Sequence, residues 1–409
     1  MLRSRSLLVS LLLPALLAAD WPQWRGPNRD DVSTETGLQS EWAANGPSRL
    51  WLSKDVGIGY SGFSVVGDTL YTMGAKADGE HLIAVNVADG TTKWSTLLAP
   101  LYINRWGDGP RCTPTIDGER VFTLSGKGIL ACVNRADGLV IWKVDLKDFG
   151  GSPPNWGYCE SVLIDGEKCL CTPGNKEGAI LALDKRSGEK IWQSKDFTDG
   201  AQYASIIVAE HGGKRQYIQL TQKNFVGIDA ATGDVLWTAP FDGRTAVIPT
   251  PIYHDGCVYV ASGYGAGCKM IRLSSSNEAE EVYVNKNMTN HHGGVVLVGD
   301  HLYGYSDGKG WICQNFQTGE IVWSEKNKLG KGSLTCAGGK LYCYDERKGE
   351  VVLIDATPAG WQEHGRFKID PQTTLRSPSG GIWTHPVVAN GKLFLRDQDL
   401  LACYDIKAN

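Results

Sequence analysis

Eleven side chains form a candidate ligand-binding set. Arg111, Lys331, Glu160, His291, His292 and His385 carry charge or exchangeable protons, and Tyr60, Trp106, Trp156, Tyr203 and Trp383 carry aromatic faces. What unites them is their place in a repeat. Tyr60, Arg111, Cys159, Ile248, His292, Lys331 and Trp383 each stand ten residues before the first apolar residue of a strand pattern, and Tyr203 is the approximate equivalent in a fourth unit. Trp156, Glu160, His291 and His385 are their neighbours, and Trp106 lies in the longer loop Asn104-Arg105-Trp106-Gly107-Asp108. Aromatic faces stack on rings, and Arg and Lys give charge-assisted hydrogen bonds, so the set suits an anionic or carbohydrate-like ligand. A water-filled opening lined by polar groups is the alternative. The adjacent pair His291-His292 can chelate one ion only from a loop, because neighbours on a strand point to opposite faces. No metal site is expected.

The elements that must position these residues follow from an 11-residue pattern. It consists of a small residue, an apolar one, Asn or Asp, three residues, Gly, three residues, and Trp. Clear copies are Ala84 to Trp94, Cys132 to Trp142, Ala182 to Trp192, Gly227 to Trp237 and Cys313 to Trp323. Their glycines are separated by 48, 50, 45 and then 86 residues, and the last gap leaves room for a faint copy at Met270 to Tyr283. Leu353-Ile354-Asp355 … Trp361 is a shortened copy, and Cys403-Tyr404-Asp405 meets the C-terminus before its Gly and Trp. Eight units of about 46 residues result, a period that marks a repeat architecture.

Each unit also holds two apolar runs around a tight turn, such as Val65-Val66-Gly67-Asp68-Thr69-Leu70-Tyr71 and Val388-Ala389-Asn390-Gly391-Lys392-Leu393-Phe394. Asn-Gly, Asp-Gly and Gly-Gly suit hairpin turns that need positive φ. Four antiparallel strands per unit, eight times over, predict an all-β fold, an eight-bladed β-propeller. The last unit lacks its fourth strand, and Arg49-Leu50-Trp51 offers one at the other end, closing the ring without an open edge. The candidate residues would then surround one mouth of the central channel.

Composition agrees with this reading. The 409 residues include 50 Gly and 14 Trp against 4 Met, with 42% hydrophobic and 21% charged residues. That profile excludes long disorder. Lys and Arg (41) number fewer than Asp and Glu (45), which argues against a nucleic-acid partner. Arg3 and Arg5 precede an apolar run from Leu7 to Leu17 and then Ala18-Ala19, the layout of a secretory leader. The run is too short to span a membrane, so no transmembrane anchor is expected. The organisation expected is a leader over 1–19, an N-terminal extension over 20–41 and the propeller over 42–409, in an exported, soluble protein, periplasmic or extracellular.

The 11-residue pattern resembles the tryptophan-docking motif of propellers related to pyrroloquinoline quinone dehydrogenases, a superfamily that also includes the outer-membrane barrel-assembly lipoprotein, a non-enzymatic scaffold. Trp21-Pro22-Gln23-Trp24-Arg25-Gly26-Pro27, Asn285-Lys286-Asn287-Met288-Thr289-Asn290-His291-His292-Gly293-Gly294 and Leu395-Arg396-Asp397-Gln398-Asp399 are similar to a secreted, quinoprotein-like propeller family of planctomycete type. The resemblance implies that each motif Trp packs between blades. It also implies two functions: a non-catalytic binding or protein-interaction scaffold, taking a protein, small-molecule or carbohydrate partner, or a quinone- and Ca²⁺-dependent alcohol or sugar dehydrogenase. In the second, Glu160 would be a Ca²⁺ ligand or general base. The chain lacks that chemistry's adjacent cysteine pair, having Cys169-Leu170-Cys171 instead, and lacks the C-x-x-C-H of covalent haem. The scaffold is the expectation. Cys132, Cys313 and Cys403 share a repeat position with Ala84, Ala182 and Gly227, so they read as small buried residues. Cys257 with Cys268 is the pair best placed for a disulfide.

Overall fold

The structure, a computed structural model, describes residues 20–408. The expected leader lies outside the described residues. Eight sheets form, seven of four strands and one of five, and together they make an eight-bladed β-propeller. The first blade shows how the sequence dictates the pattern. Gly67 turns Phe63–Val66 back into Thr69–Lys76 with φ of +60°. Thr69–Lys76 is buried on both faces along nearly all its length because a neighbouring blade covers each side. This is why the middle strands read as continuous apolar runs. The outermost strand, Thr92–Ala99, alternates between exposed and half-buried positions over most of its length, as a strand open to water on one side must.

Ring closure follows the sequence expectation. Ser48–Ser53 pairs antiparallel with Leu400–Asp405, placing Trp51 opposite Cys403. The core is a set of apolar clusters between adjacent blades; one joins Phe63 and Val65 of the first blade to Val387 and Phe394 of the last. Trp51 lies flat on Gly90 of the next blade, where an added Cβ would come within 2.6 Å of its ring, and its indole donates to Val87 O at 2.9 Å. Trp94, Trp142 and Trp192 sit on Gly138, Gly188 and Gly233 in the same way. Four motif glycines thus make room for the Trp of the blade before, and at Gly319 the ring is that of Tyr283.

The segment after residue 20 does not trail outside the ring. Trp21 bridges Val65 of the first blade, and Pro22 O accepts from Ile116 N of the second at 2.8 Å. Val32–Ser33 then adds as a parallel strand to Gly332–Ala337 of the seventh. Between these points the chain enters the central channel. All eleven cysteines are free, and all but Cys159 are buried. The Cys257–Cys268 pairing does not form: Cys257 faces Arg272 and Cys268 faces Ala261, so the two are out of register.

Candidate functional site

The first strands of neighbouring blades touch around the channel, and the segments leading into them converge at one mouth on a cavity of about 160 Å³. Nine of the eleven candidates line it: Tyr60, Trp106, Arg111, Trp156, Tyr203, His291, His292, Trp383 and His385. Glu160 and Lys331 do not. Lys331 stands behind His291, and Glu160 is buried in the wall between blades.

One arc of the wall is a run of rings. Tyr264 meets His291 edge-on at 4.5 Å between centroids, His291 lies 3.8 Å from His292, and His292 stacks on Trp383 at 4.4 Å and 19°. Tyr60 continues the arc at 4.8 Å from Trp383, and Trp156 with Tyr203 faces it from other blades. The Trp106 loop is folded by its own polar residues. Asn104 N donates to Asp108 Oδ1 at 2.7 Å, Trp106 N donates to Asn104 Oδ1 at 3.0 Å, and Tyr60 Oη donates to Trp106 O at 2.5 Å. Gly107 lies so close over Tyr60 that a Cβ would stand 2.1 Å from its Oη. Arg111 donates to Gly107 O and Gly109 O, and its guanidinium rests over Tyr60 and Tyr102 at 5.3 and 4.8 Å.

Behind the two imidazoles runs a chain of polar groups. Asp307 Oδ1 holds Lys331 Nζ at 2.6 Å, and Lys331 Nζ donates to His291 Nδ1 at 3.1 Å. His291 therefore carries its ring proton on Nε2. His292 Nδ1 lies 3.6 Å from Glu346 Oε2. Burial, reinforced by Lys331, drives the pKa of both histidines well below the usual imidazole range, so both are neutral. Burial pushes the Glu346 carboxyl up, against the pull of Lys331 and Arg347. Asn290, fully buried, fixes the loop by donating to Gly294 O and Tyr305 O.

The floor comes from the N-terminal segment, whose Trp24 and Arg25 line the cavity. Trp24 Nε1 donates to Thr250 Oγ1 at 3.0 Å, and its ring packs 4.7 Å from His385. Arg25, Arg29 and Asp31 all have positive φ, at 61°, 58° and 64°. Glycine is the residue of least cost in that region, so their side chains must compensate. Arg25 donates to Val295 O and Asp30 O; Arg29 donates to Ser161 O, Val162 O and Gln23 Oε1. Asp31 accepts from His385 Nδ1 at 2.9 Å and lies 3.5 Å from Arg25 Nε.

Glu160 faces away from the cavity. Its carboxyl accepts from Thr172 N at 2.7 Å, from Thr172 Oγ1 at 3.2 Å and from Gln219 Nε2 at 3.3 Å. Burial lifts it to about 7. Its sequence neighbour Cys159 takes the lining position, as adjacent residues in extended chain must point apart. Among the described residues, no group of three or more His, Cys, Asp and Glu is placed to hold a metal ion. Sequence reasoning missed Trp24, Arg25, Tyr264 and Glu346. Tyr264 has a local signal, its Gly-flanked turn on the mouth side, whereas the first two lie outside the repeat.

Residues 78–325 match the model of the family described as Outer membrane protein assembly factor BamB. The chain is 19% identical over 338 residues to the outer membrane protein assembly factor BamB of Shewanella oneidensis, covering 71% of this chain and 84% of that one. It is 25% identical over 235 residues to a polyvinylalcohol dehydrogenase of a Pseudomonas species, covering 55% of this chain but only 34% of the enzyme. Among solved structures it resembles the quinohemoprotein alcohol dehydrogenase of Comamonas testosteroni, with a TM-score of 0.66 at 10% identity, over 96% of this chain and 81% of that one. At that identity the likeness is one of fold.

Proposed function

The chain belongs to the propeller family described as Outer membrane protein assembly factor BamB, and from that premise we propose an exported, non-catalytic binding module. Its ligand site is the mouth cavity, and the faces of the disc are open to protein partners, as the name of the Shewanella relative suggests. The observation that carries this reading is the cavity wall: aromatic rings with the neutral imidazoles of His291 and His292, Trp24 and Arg25 of the N-terminal segment, and no Asp or Glu among the lining residues. A wall of that kind recognises a ligand but has no carboxylate base to act on it. Export is supported by the leader pattern of Arg3, Arg5, the apolar run from Leu7 to Leu17 and Ala18-Ala19.

A Ca²⁺-assisted quinone centre would need about six oxygen ligands, carboxylates among them. Glu160 is committed to Thr172 and Gln219 outside the cavity. The residues present do not fit such a centre. The test is a titration of the purified protein with pyrroloquinoline quinone and Ca²⁺, followed by Trp fluorescence and dye-linked alcohol oxidation. No turnover is expected; saturable quenching accompanied by turnover would overturn the binding-module reading.

A further inference from the structure

The cavity has an excess of hydrogen-bond donors over acceptors. Its lining includes two arginines and no carboxylate, against a formal net charge of −4 for the chain. Arg25 is 2% exposed, and its Nη1 has no partner. His291 Nε2, which carries the ring proton, has none either. The hydroxyls of Ser205 and Thr250 accept from Ser161 N and Trp24 Nε1, which leaves their protons free to be donated inward. A buried donor without an acceptor is destabilising. Several around one cavity point to a ligand that supplies the acceptors.

Shape and chemistry narrow the class. A volume of about 160 Å³ is well below the roughly 300–1,000 Å³ of pockets for drug-sized ligands, so it suits one ring. Aromatic faces stack on such a ring. His291, whose Nδ1 is held by Lys331, offers its Nε2–H as a donor to a ligand hydroxyl, which can accept it. We propose that the cavity binds a single-ring sugar acid of the hexuronate type. Its carboxylate lies toward Arg25, its ring against the aromatic wall and its hydroxyls toward His291 and His292. Arg111, at the rim and free of any carboxylate partner among the described residues, supplies attraction at entry.

This inference rests on the reading of the mouth as a ligand site, and the experiment separates the two. The full chain is titrated with glucuronate, glucose and pyrroloquinoline quinone in turn, by calorimetry and Trp fluorescence. Glucuronate should saturate, bind about tenfold or more tighter than glucose, and weaken as salt is raised. Arg25→Gln, folded by circular dichroism, should lose most of that preference, Arg111→Gln should keep it but slow association, and Trp156→Ala should weaken both sugars. Glucose binding as tightly as glucuronate, or binding of the quinone alone, would overturn the sugar-acid proposal and leave the ligand site standing. No response to any of the three would overturn both.

Discussion

Replacing Arg396 with Met tests how the ring is closed. Arg396 belongs to the last blade and is 1% exposed. Its Nη1 donates to Ser61 O at 3.0 Å, Thr72 Oγ1 at 2.7 Å and Met73 O at 2.7 Å, and its Nη2 donates to Gly57 O at 3.0 Å, all in or leading into the first blade. Its Nε donates to Gln398 O at 2.7 Å. All five acceptors are neutral oxygens, so the guanidinium works here as a planar fork of donors spanning the closing seam. Methionine keeps most of the volume and removes every donor. Four backbone carbonyls then lose a bond at about 1 kcal/mol each, partly offset by no longer burying a charge, which gives a loss of about 3 kcal/mol.

Urea unfolding followed by Trp fluorescence measures that loss directly, and an unchanged slope with denaturant keeps the comparison valid. Arg272→Met, an exposed site bonded only to Gln317, should cost less than about 0.5 kcal/mol. Hydrogen exchange should rise first in Ser48–Ser53, the strand that finishes the seam. A loss below about 1 kcal/mol for Arg396→Met would refute the seam argument, because backbone carbonyls at a buried site cannot lose a charged donor at so small a cost.

Gly90→Ala forces a left-handed alanine against Trp51 and should destabilise by about 2–4 kcal/mol with a shifted Trp emission, read by thermal melting. Asp31→Asn preserves shape and tolerates positive φ but leaves Arg25 without its counter-charge; a loss of about 2–3 kcal/mol is expected, with faster proteolysis of residues 20–35. Burial holds Glu160 protonated to about 7, whereas the unfolded chain releases that proton near 4.5. The native state binds more protons in that window, so this group's contribution to stability falls as pH rises through it. Glu160→Gln removes the dependence, and the wild-type minus variant difference should drop by roughly 2 kcal/mol between about pH 5 and pH 8; a flat difference curve would rule out the burial argument.

The blades were legible because strand, turn and Trp recur at fixed offsets, and the seam strand because one unit lacked a strand that Arg49-Leu50-Trp51 could supply. The same register brought Arg111, His292 and Trp383 to the cavity. It also brought Cys159, whereas Lys331 stands behind His291; Glu160, taken as the neighbour of Cys159, faces away because alternation along extended chain turns adjacent side chains apart. Trp24 and Arg25 had no such register. Their contacts lie more than 200 residues away, at Thr250 and Val295, and nothing local announces them. Only their resemblance to a family motif singled them out, without assigning a role.

That segment answers a problem the repeat creates. The innermost strand of every blade turns one unpaired backbone edge toward the channel, and such an edge must find partners or be solvated. Part of it is met between blades: Ser64 Oγ donates to Pro114 O, Thr115 Oγ1 to Val162 O and Ser333 Oγ to Thr384 O. The N-terminal segment meets more of it, placing guanidinium donors on Val295 O, Ser161 O and Val162 O, and its own backbone on Val65 and Cys336. Arginine does this where glycine would be the easier backbone residue, since a long fork of donors reaches a blade's inner edge and its own segment at once. The same insertion converts an open channel into a cup with one mouth. The residues that satisfy the inner edge are thus also the floor of the binding cavity, so a ligand bound there should stabilise the segment, and loosening the segment should weaken the ligand.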